Sequence, residues 1–392
     1  MRKGEKKMKK TWTKALAVAL SCMMAFALAA CGGGSSAGDG KLHIGVIGPF
    51  TGGAALYGNA VKNGAELAVN EINAANADGL QIVMESQDDE HDAEKSVNAY
   101  NKLLDDGMQV LVGPTTSTPA AAVATECEKN QTFMLTPSGS SPDVTAEHGN
   151  VFQLCFSDPN QGIASADYMA ENFADAKVGV IYKNDDNYST GIFNKFKSEW
   201  EAKGKKVEAE ETFTDGVTDF SAQLNSLKNA GVDLVFLPIY YDAASNILTQ
   251  ADKMGYAPKF FGCDGMDGIL SMEGFDTSLA EGLMLLTPFT PYSEDAKSKA
   301  FTEAYQEAYG ELPIQFAADA YDCVYAIYDA FNKAGLDPNA DMAEICEALV
   351  GQFAGDFTAS GITAEEMKWN EKGEVEKTPK VCEIKDGKYI EK

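Results

Sequence analysis

Histidine is nearly missing from this chain: among 392 residues only His43, His91 and His148 occur. They stand far apart and share no ligand spacing, which argues against a histidine-based metal site. Positive charge is also scarce, with 32 Lys+Arg against 59 Asp+Glu and a formal net charge of −27. Phosphate backbones repel so acidic a chain, so no nucleic-acid partner is expected. No G-x-x-x-x-G-K-S/T, no H-E-x-x-H and no G-x-G-x-x-G occurs, despite 36 glycines. With them go the usual signatures of an ATPase, a zinc peptidase and a dinucleotide-binding enzyme. Neither catalysis nor a cofactor is expected.

Long apolar runs are absent except for residues 15–30, which are apolar apart from Ser21 and follow seven Lys and Arg residues. A basic start before a run shorter than the ~20 residues of a membrane span reads as a secretory signal. The run ends Leu28-Ala29-Ala30-Cys31, which resembles the lipobox of bacterial lipoproteins. That resemblance implies cleavage before Cys31 and lipid attachment to it. The Gly/Ser stretch that follows, to residue 40, reads as a flexible tether. Removing residues 1–30 takes the net charge from −27 to −33, so a lipid rather than surface charge would hold the protein at an anionic membrane. Cys127, Cys155, Cys263, Cys323, Cys346 and Cys382 show no C-x-x-C pair and no regular spacing. Most read as small buried hydrophobes, with one or two bridges left open.

From Lys41 onward, strand-length apolar runs alternate with helix-period stretches. Strands are expected at 42–47, 80–85, 110–112, 132–135, 151–155, 178–182, 206–212, 232–237, 259–262 and 283–286. Helices are expected through Val61–Ile72, at 93–104, from Pro119, and at 190–203, 220–230, 243–253, 294–309 and 315–334. This alternation predicts parallel sheets with helices on both faces. Two such series predict two lobes. The helices after 290 need a sheet to cover, so the chain is expected to cross back into the first lobe and form a hinge beside a cleft.

Two strand ends lead into hydroxyl-rich turns before a proline: Thr115-Thr116-Ser117-Thr118-Pro119 and Ser138-Gly139-Ser140-Ser141-Pro142. Each has an ordinary reading as a helix cap. Together their hydroxyls and amides also make a receptor for a carboxylate. In the other half Asp264 follows the short strand Phe260-Phe261-Gly262. It reads as a turn cap or as a fixed anion that meets an ammonium. Phe50, Tyr57, Phe156, Tyr188 and Tyr240 fall at strand ends and loop starts, where they are core or the wall of a pocket for a zwitterion with an apolar side chain.

The stretches Ile44–Gly58 and Gly64–Asn73 carry a resemblance to a known family. So do Gly113-Pro114 with Ser117, Thr136-Pro137-Ser138 with Pro142, Asp219-Phe220-Ser221, Tyr321-Asp322 and Trp369–Gly373. The chain from 41 to 392 resembles the substrate-binding lipoproteins of branched-chain amino-acid-type ABC importers, the leucine/isoleucine/valine-binding protein family. The resemblance implies a two-lobed α/β periplasmic-binding-protein fold of type I with three hinge crossovers. It implies lobes of 41–157 plus 288–366 and of 158–287 plus 367–392. It also implies a lipid-anchored monomer outside the cell membrane, of Gram-positive type, that delivers an amino acid to ABC permease subunits. By motif, Ser117, Ser138 and Ser140 fall on carboxylate contacts, Asp264 on the ammonium contact, and Tyr57, Thr115, Thr116, Phe156, Tyr188 and Tyr240 on the pocket wall. Thr116 stands where the branched-chain binders have a bridged cysteine, Thr115 where they have an apolar residue, and Asp264 where the best-known members have glutamate. The same fold in a sensory receptor, or around urea, a short amide or an aromatic acid, is the alternative.

Overall fold

The computed structural model describes residues 39–392, so the signal segment, Cys31 and most of the tether lie outside the described residues. A first sheet is built from β1 (Lys41–Gly48), β2 (Gln81–Asp88), β3 (Val110–Val112), β4 (Phe133–Thr136) and β5 (Val151–Gln153) in the order 2-1-3-4-5, all parallel. The second holds β6 (Val178–Lys183), β7 (Ala209–Phe213), β8 (Leu234–Leu237), β9 (Lys259–Gly262), β10 (Met284–Thr287), β11 (Lys380–Lys385) and β12 (Lys388–Glu391) in the order 12-11-10-9-8-6-7. Its last two strands are antiparallel additions.

Each sheet reverses its strand order once, between β1 and β3 and between β6 and β8. Loops leaving the carboxyl ends of strands diverge at such points and leave a crevice. Both crevices face the same cleft.

The helices between strands are α1 (Ala55–Ala75), α2 (Ala93–Asp105), α3 (Ser117–Asn130), α4 (Asp158–Asn172), α5 (Asn187–Ala202), α6 (Ser221–Ala230) and α7 (Tyr241–Lys253). After β10 come α8 (Ala296–Tyr309), α9 (Gln315–Ala334) and α10 (Met342–Phe353). Aspartates set several starts: Asp92, Asp186, Asp295 and Asp341 each accept a backbone N–H of the first turn. The return of the late helices is met, since α9 packs along α1 and α10 against β4. Where α1 and α9 cross, a Cβ on Gly64 would lie 2.0 Å from the Ala317 carbonyl oxygen, so only glycine permits the approach.

Three departures from the sequence expectations have local causes. The helix expected from Pro119 starts at Ser117, two residues earlier. The second hydroxyl turn leads only into a three-residue 3-10 turn, Pro142–Val144, capped by Ser141. Helix α4 was not expected, because its opening Asp158-Pro159-Asn160-Gln161-Gly162 has loop composition. Proline in the first turn is nevertheless compatible with a helix start. All six described cysteines are buried and free, so the one or two bridges left open by the sequence are not made among the described residues.

The crossovers are tied at the back of the cleft. Trp369 Nε1 donates to the Gln153 carbonyl at 2.8 Å, and Lys377 pairs with Asp319 at 3.2 Å with both side chains 2% exposed. Across the front, Tyr57 is the main bridge. Its hydroxyl donates to the Gly265 carbonyl and accepts the Tyr241 N–H at 3.2 Å. Tyr57→Phe deletes both bonds while keeping the ring, a loss of about 1–2 kcal/mol from the closed arrangement. The expected outcome is a larger radius of gyration by small-angle scattering with helix content unchanged; an identical radius would remove Tyr57 as the bridge.

Candidate functional site

Six strand ends deliver the side chains of the cleft floor. From the first sheet, Tyr57 enters on the first turn of α1, Thr115 and Thr116 on the turn after β3, and Ser138 after β4. The β3 turn needs Gly113, whose φ is +111° and whose added Cβ would meet the Ile47 carbonyl oxygen at 2.4 Å. From the second sheet come Tyr188 at the start of α5, Tyr240 before α7 and Asp264 after β9. These seven line one small cavity of about 10 Å³, together with Gly265 and Phe316. Outward, the cleft widens to about 570 Å³ between His91, Lys183, Asp186 and Tyr240.

Asp264 is 3% exposed. Tyr188 donates its hydroxyl to Asp264 Oδ1 at 2.7 Å and accepts the Gly265 N–H at 2.9 Å. The Asp264 backbone is held too: its N–H donates to Gln161 at 3.1 Å and its carbonyl accepts from Gln315 at 3.2 Å. No cation among the described residues neutralises the carboxylate, and burial pushes its pKa up to about 6 against the hydrogen bonds that lower it. Asp267, also raised to about 6 by burial, accepts the Gln315 N–H at 2.7 Å and so fixes the start of α9. Phe316, the next residue, stacks on Tyr57 with centroids 4.2 Å apart. Tyr188 stacks on Tyr240 at 4.8 Å. The cavity thus has aromatic walls around one buried carboxylate.

The hydroxyl turns are stitched to each other. Ser138 Oγ donates to the Thr115 carbonyl at 2.6 Å, and Ser140 Oγ donates to Asp158 Oδ1 at 2.7 Å. Ser117 Oγ instead accepts the Ser141 N–H at 3.1 Å. Of the three serines, Ser117 is therefore the one whose own proton is left to give. Ser117 and Ser140 lie behind the cavity lining, and Phe156 is buried in the core of the second sheet beside Met169 and Phe261. Thr116, which replaces a bridged cysteine of the resembling family, is tied instead to His91, with Oγ1 and Nδ1 2.8 Å apart.

Sequence reasoning missed Phe316, Gly265, Gln161 and Gln315. Gly265 stood beside a marked residue. Phe316 gave no signal, because an aromatic opening a helix of an apolar period reads as core.

The molecule matches known proteins over most of its length. A family model described as "Periplasmic binding protein" covers residues 41–370. The chain is 33% identical over 307 residues to "Leu/Ile/Val-binding protein BraC3" of Rhizobium johnstonii, covering 76% of this chain and 81% of that one. It is 30% identical to the "Leucine-, isoleucine-, valine-, threonine-, and alanine-binding protein" of Pseudomonas aeruginosa, covering 83% and 86%. Among solved structures, the branched-chain amino acid transporter substrate binding protein LivJ from Streptococcus pneumoniae, in complex with isoleucine, superposes with a TM-score of 0.80 at 29% identity, covering 90% of this chain and 100% of that one. The two sheets and their order are those of the type I periplasmic binding fold. On the extent of the family match and the identity to these relatives, the chain belongs to the periplasmic binding protein family.

Proposed function

We propose that the protein captures a neutral aliphatic amino acid outside the cell and hands it to the permease of an ABC importer. The observation that carries this reading is the buried Asp264 carboxylate without a cation among the described residues. A buried charge is costly until a partner of opposite sign reaches it, and the ammonium of an amino acid is such a partner. An aromatic acid would bring a second negative charge to the same place, and urea or a short amide would bring none.

In this reading Asp264 receives the ammonium, while Ser117, Ser138, Ser140 and the amides of their turns receive the carboxylate. Ser117 gives the hydroxyl proton. Tyr57, Thr115, Thr116, Tyr188 and Tyr240 line the pocket with Phe316, and Phe156 supports it from the core. Admitting an amino acid to a cavity of about 10 Å³ requires the lobes to part. Lobe one (41–157 plus 288–366) and lobe two (158–287 plus 367–392) rotate about the crossovers to do so. The protein acts as a monomer, tethered through a lipid on Cys31 to the outer face of the cell membrane of a Gram-positive type of cell. No helix of the described residues is long and apolar enough to cross a membrane.

Two measurements test this. Asp264→Ala strands the ammonium, a loss of roughly 3–5 kcal/mol or two to four decades in affinity. Ser117→Ala removes one donor to a charged group, about 1.5–3 kcal/mol or ten- to a hundredfold. Titration calorimetry with leucine should rank Asp264 above Ser117, and undiminished binding by Asp264→Ala would sink the amino-acid reading. For the anchor, Cys31→Ser should abolish fatty-acid labelling in the native host; label that persists on the variant contradicts attachment at Cys31.

A further inference from the structure

His91 faces the cleft from the turn between β2 and α2. Glu90 and His91 both take positive φ there, 50° and 60°. Non-glycine residues hold that region only where their surroundings over-determine it. Here they do: Asp89 is fully buried, one of its oxygens accepting the His91 N–H at 3.0 Å and the other the Ser96 hydroxyl at 3.2 Å.

The strained turn delivers one imidazole to both walls of the cleft. Nδ1 lies 2.8 Å from Thr116 Oγ1 on the first-sheet side. On the second-sheet side the ring meets the Tyr240 ring edge-on at 5.6 Å, and Nε2 lies 3.8 Å from Asp186 Oδ2. That last distance exceeds hydrogen-bond reach, and Asp186 Oδ1 is engaged in capping α5 through the Ser189 N–H at 3.0 Å. Thr116 and Tyr240 both line the small cavity beside Asp264.

We propose that His91 is a positioning residue for ligand capture: neutral, it completes the closed cleft between Thr116, Tyr240 and Asp186, and protonated it favours the open one. The proposal rests on the reading of this cleft as the ligand site.

The charges that face the ring are mixed. Asp186, Lys183 and Asp215 approach from the second lobe, Lys183 already paired with Asp215 at 2.9 Å. Asp89 and Asp92 belong to its own turn, and Glu90, Lys95 and Asp242 line the cleft mouth further out. Burial outweighs the carboxylates and holds His91 below the ordinary histidine range. Opening returns the ring to water and to a pKa of ~6.5. The contribution to closure is therefore complete above that value and is lost as pH falls below it. If the closed form excludes the proton, affinity drops about tenfold between about pH 7.5 and 5.5 from this group alone.

Asp264 and Asp89 also titrate near 6 because of burial, so the comparison must isolate His91. His91→Gln keeps a hydrogen-bonding atom for Thr116 and has no proton to gain. Leucine affinity is measured by calorimetry over that pH range on the parent and the variant, and the ring protons of His43, His91 and His148 are titrated by NMR. The parent is expected to lose about tenfold more affinity than His91→Gln, and the His91 ring of the leucine-saturated parent to titrate below ~6.5. Parallel losses in the two proteins, or a His91 ring that titrates at or above the ordinary value, overturn the proposal. If neither protein binds leucine at neutral pH, the amino-acid reading fails, and the proposal that rests on it falls with it.

Discussion

A carboxylate held out of water with no cation beside it organises the cleft. Asp264 is fixed by Tyr188, and its backbone by Gln161 and Gln315, so it cannot swing outward to solvent. Hydrogen bonds from neutral groups lower its pKa, yet burial wins and leaves it near 6. The group is therefore poised: burial brings its protonation up to about pH 6 while it is shut away, and a cation set against it would hold it ionised at lower pH. In the proposed reading, what enters the cleft is selected first by charge and only then by shape. The stacked Tyr188 and Tyr240 and the Tyr57–Phe316 pair supply the shape.

The rest of the architecture serves to bring that carboxylate and the hydroxyl turns to one place. They lie on different sheets, about 120 residues or more apart in sequence. Each sheet contributes the loops at its own point of strand reversal. Tyr57 links the two sheets directly, rooted in α1 and bonded once to the backbone of the Asp264 loop, at Gly265, and once to that of the Tyr240 loop, at Tyr241. The buried Lys377–Asp319 pair holds the segment that leads into β11 to α9. Burying such a pair adds little net stability, but breaking it is costly. It therefore fixes where the chain can bend rather than how strongly it folds.

Much of this was legible in the sequence because strand-end positions carry their own marks. The alternation of buried runs and helical periods gave two parallel sheets, and the Thr115–Pro119, Ser138–Pro142 and Asp264 segments stood out as polar breaks after apolar strands. Tyr57, Tyr188 and Tyr240 followed from their place just past such breaks. Three-dimensional closure was not legible. Phe316 reaches the cavity from a helix that follows the whole run of strands β6 to β10, and no local pattern distinguishes it from the core aromatics of the same helix. The strained His91 turn is equally silent, since positive φ at Glu90 and His91 depends on the buried Asp89 beneath them. Nor could sequence say which serine keeps a free proton, a matter of partners from another turn.

The chemistry of the cleft turns on whether the buried carboxylate of Asp264 recognises an ammonium. The most direct measurement compares leucine with 4-methylpentanoate, the same carbon chain without its amino group, by titration calorimetry on the unaltered protein. Leucine is expected to bind at least roughly two decades more tightly, because only it brings a cation to Asp264. Equal affinity for the two would contradict the central claim.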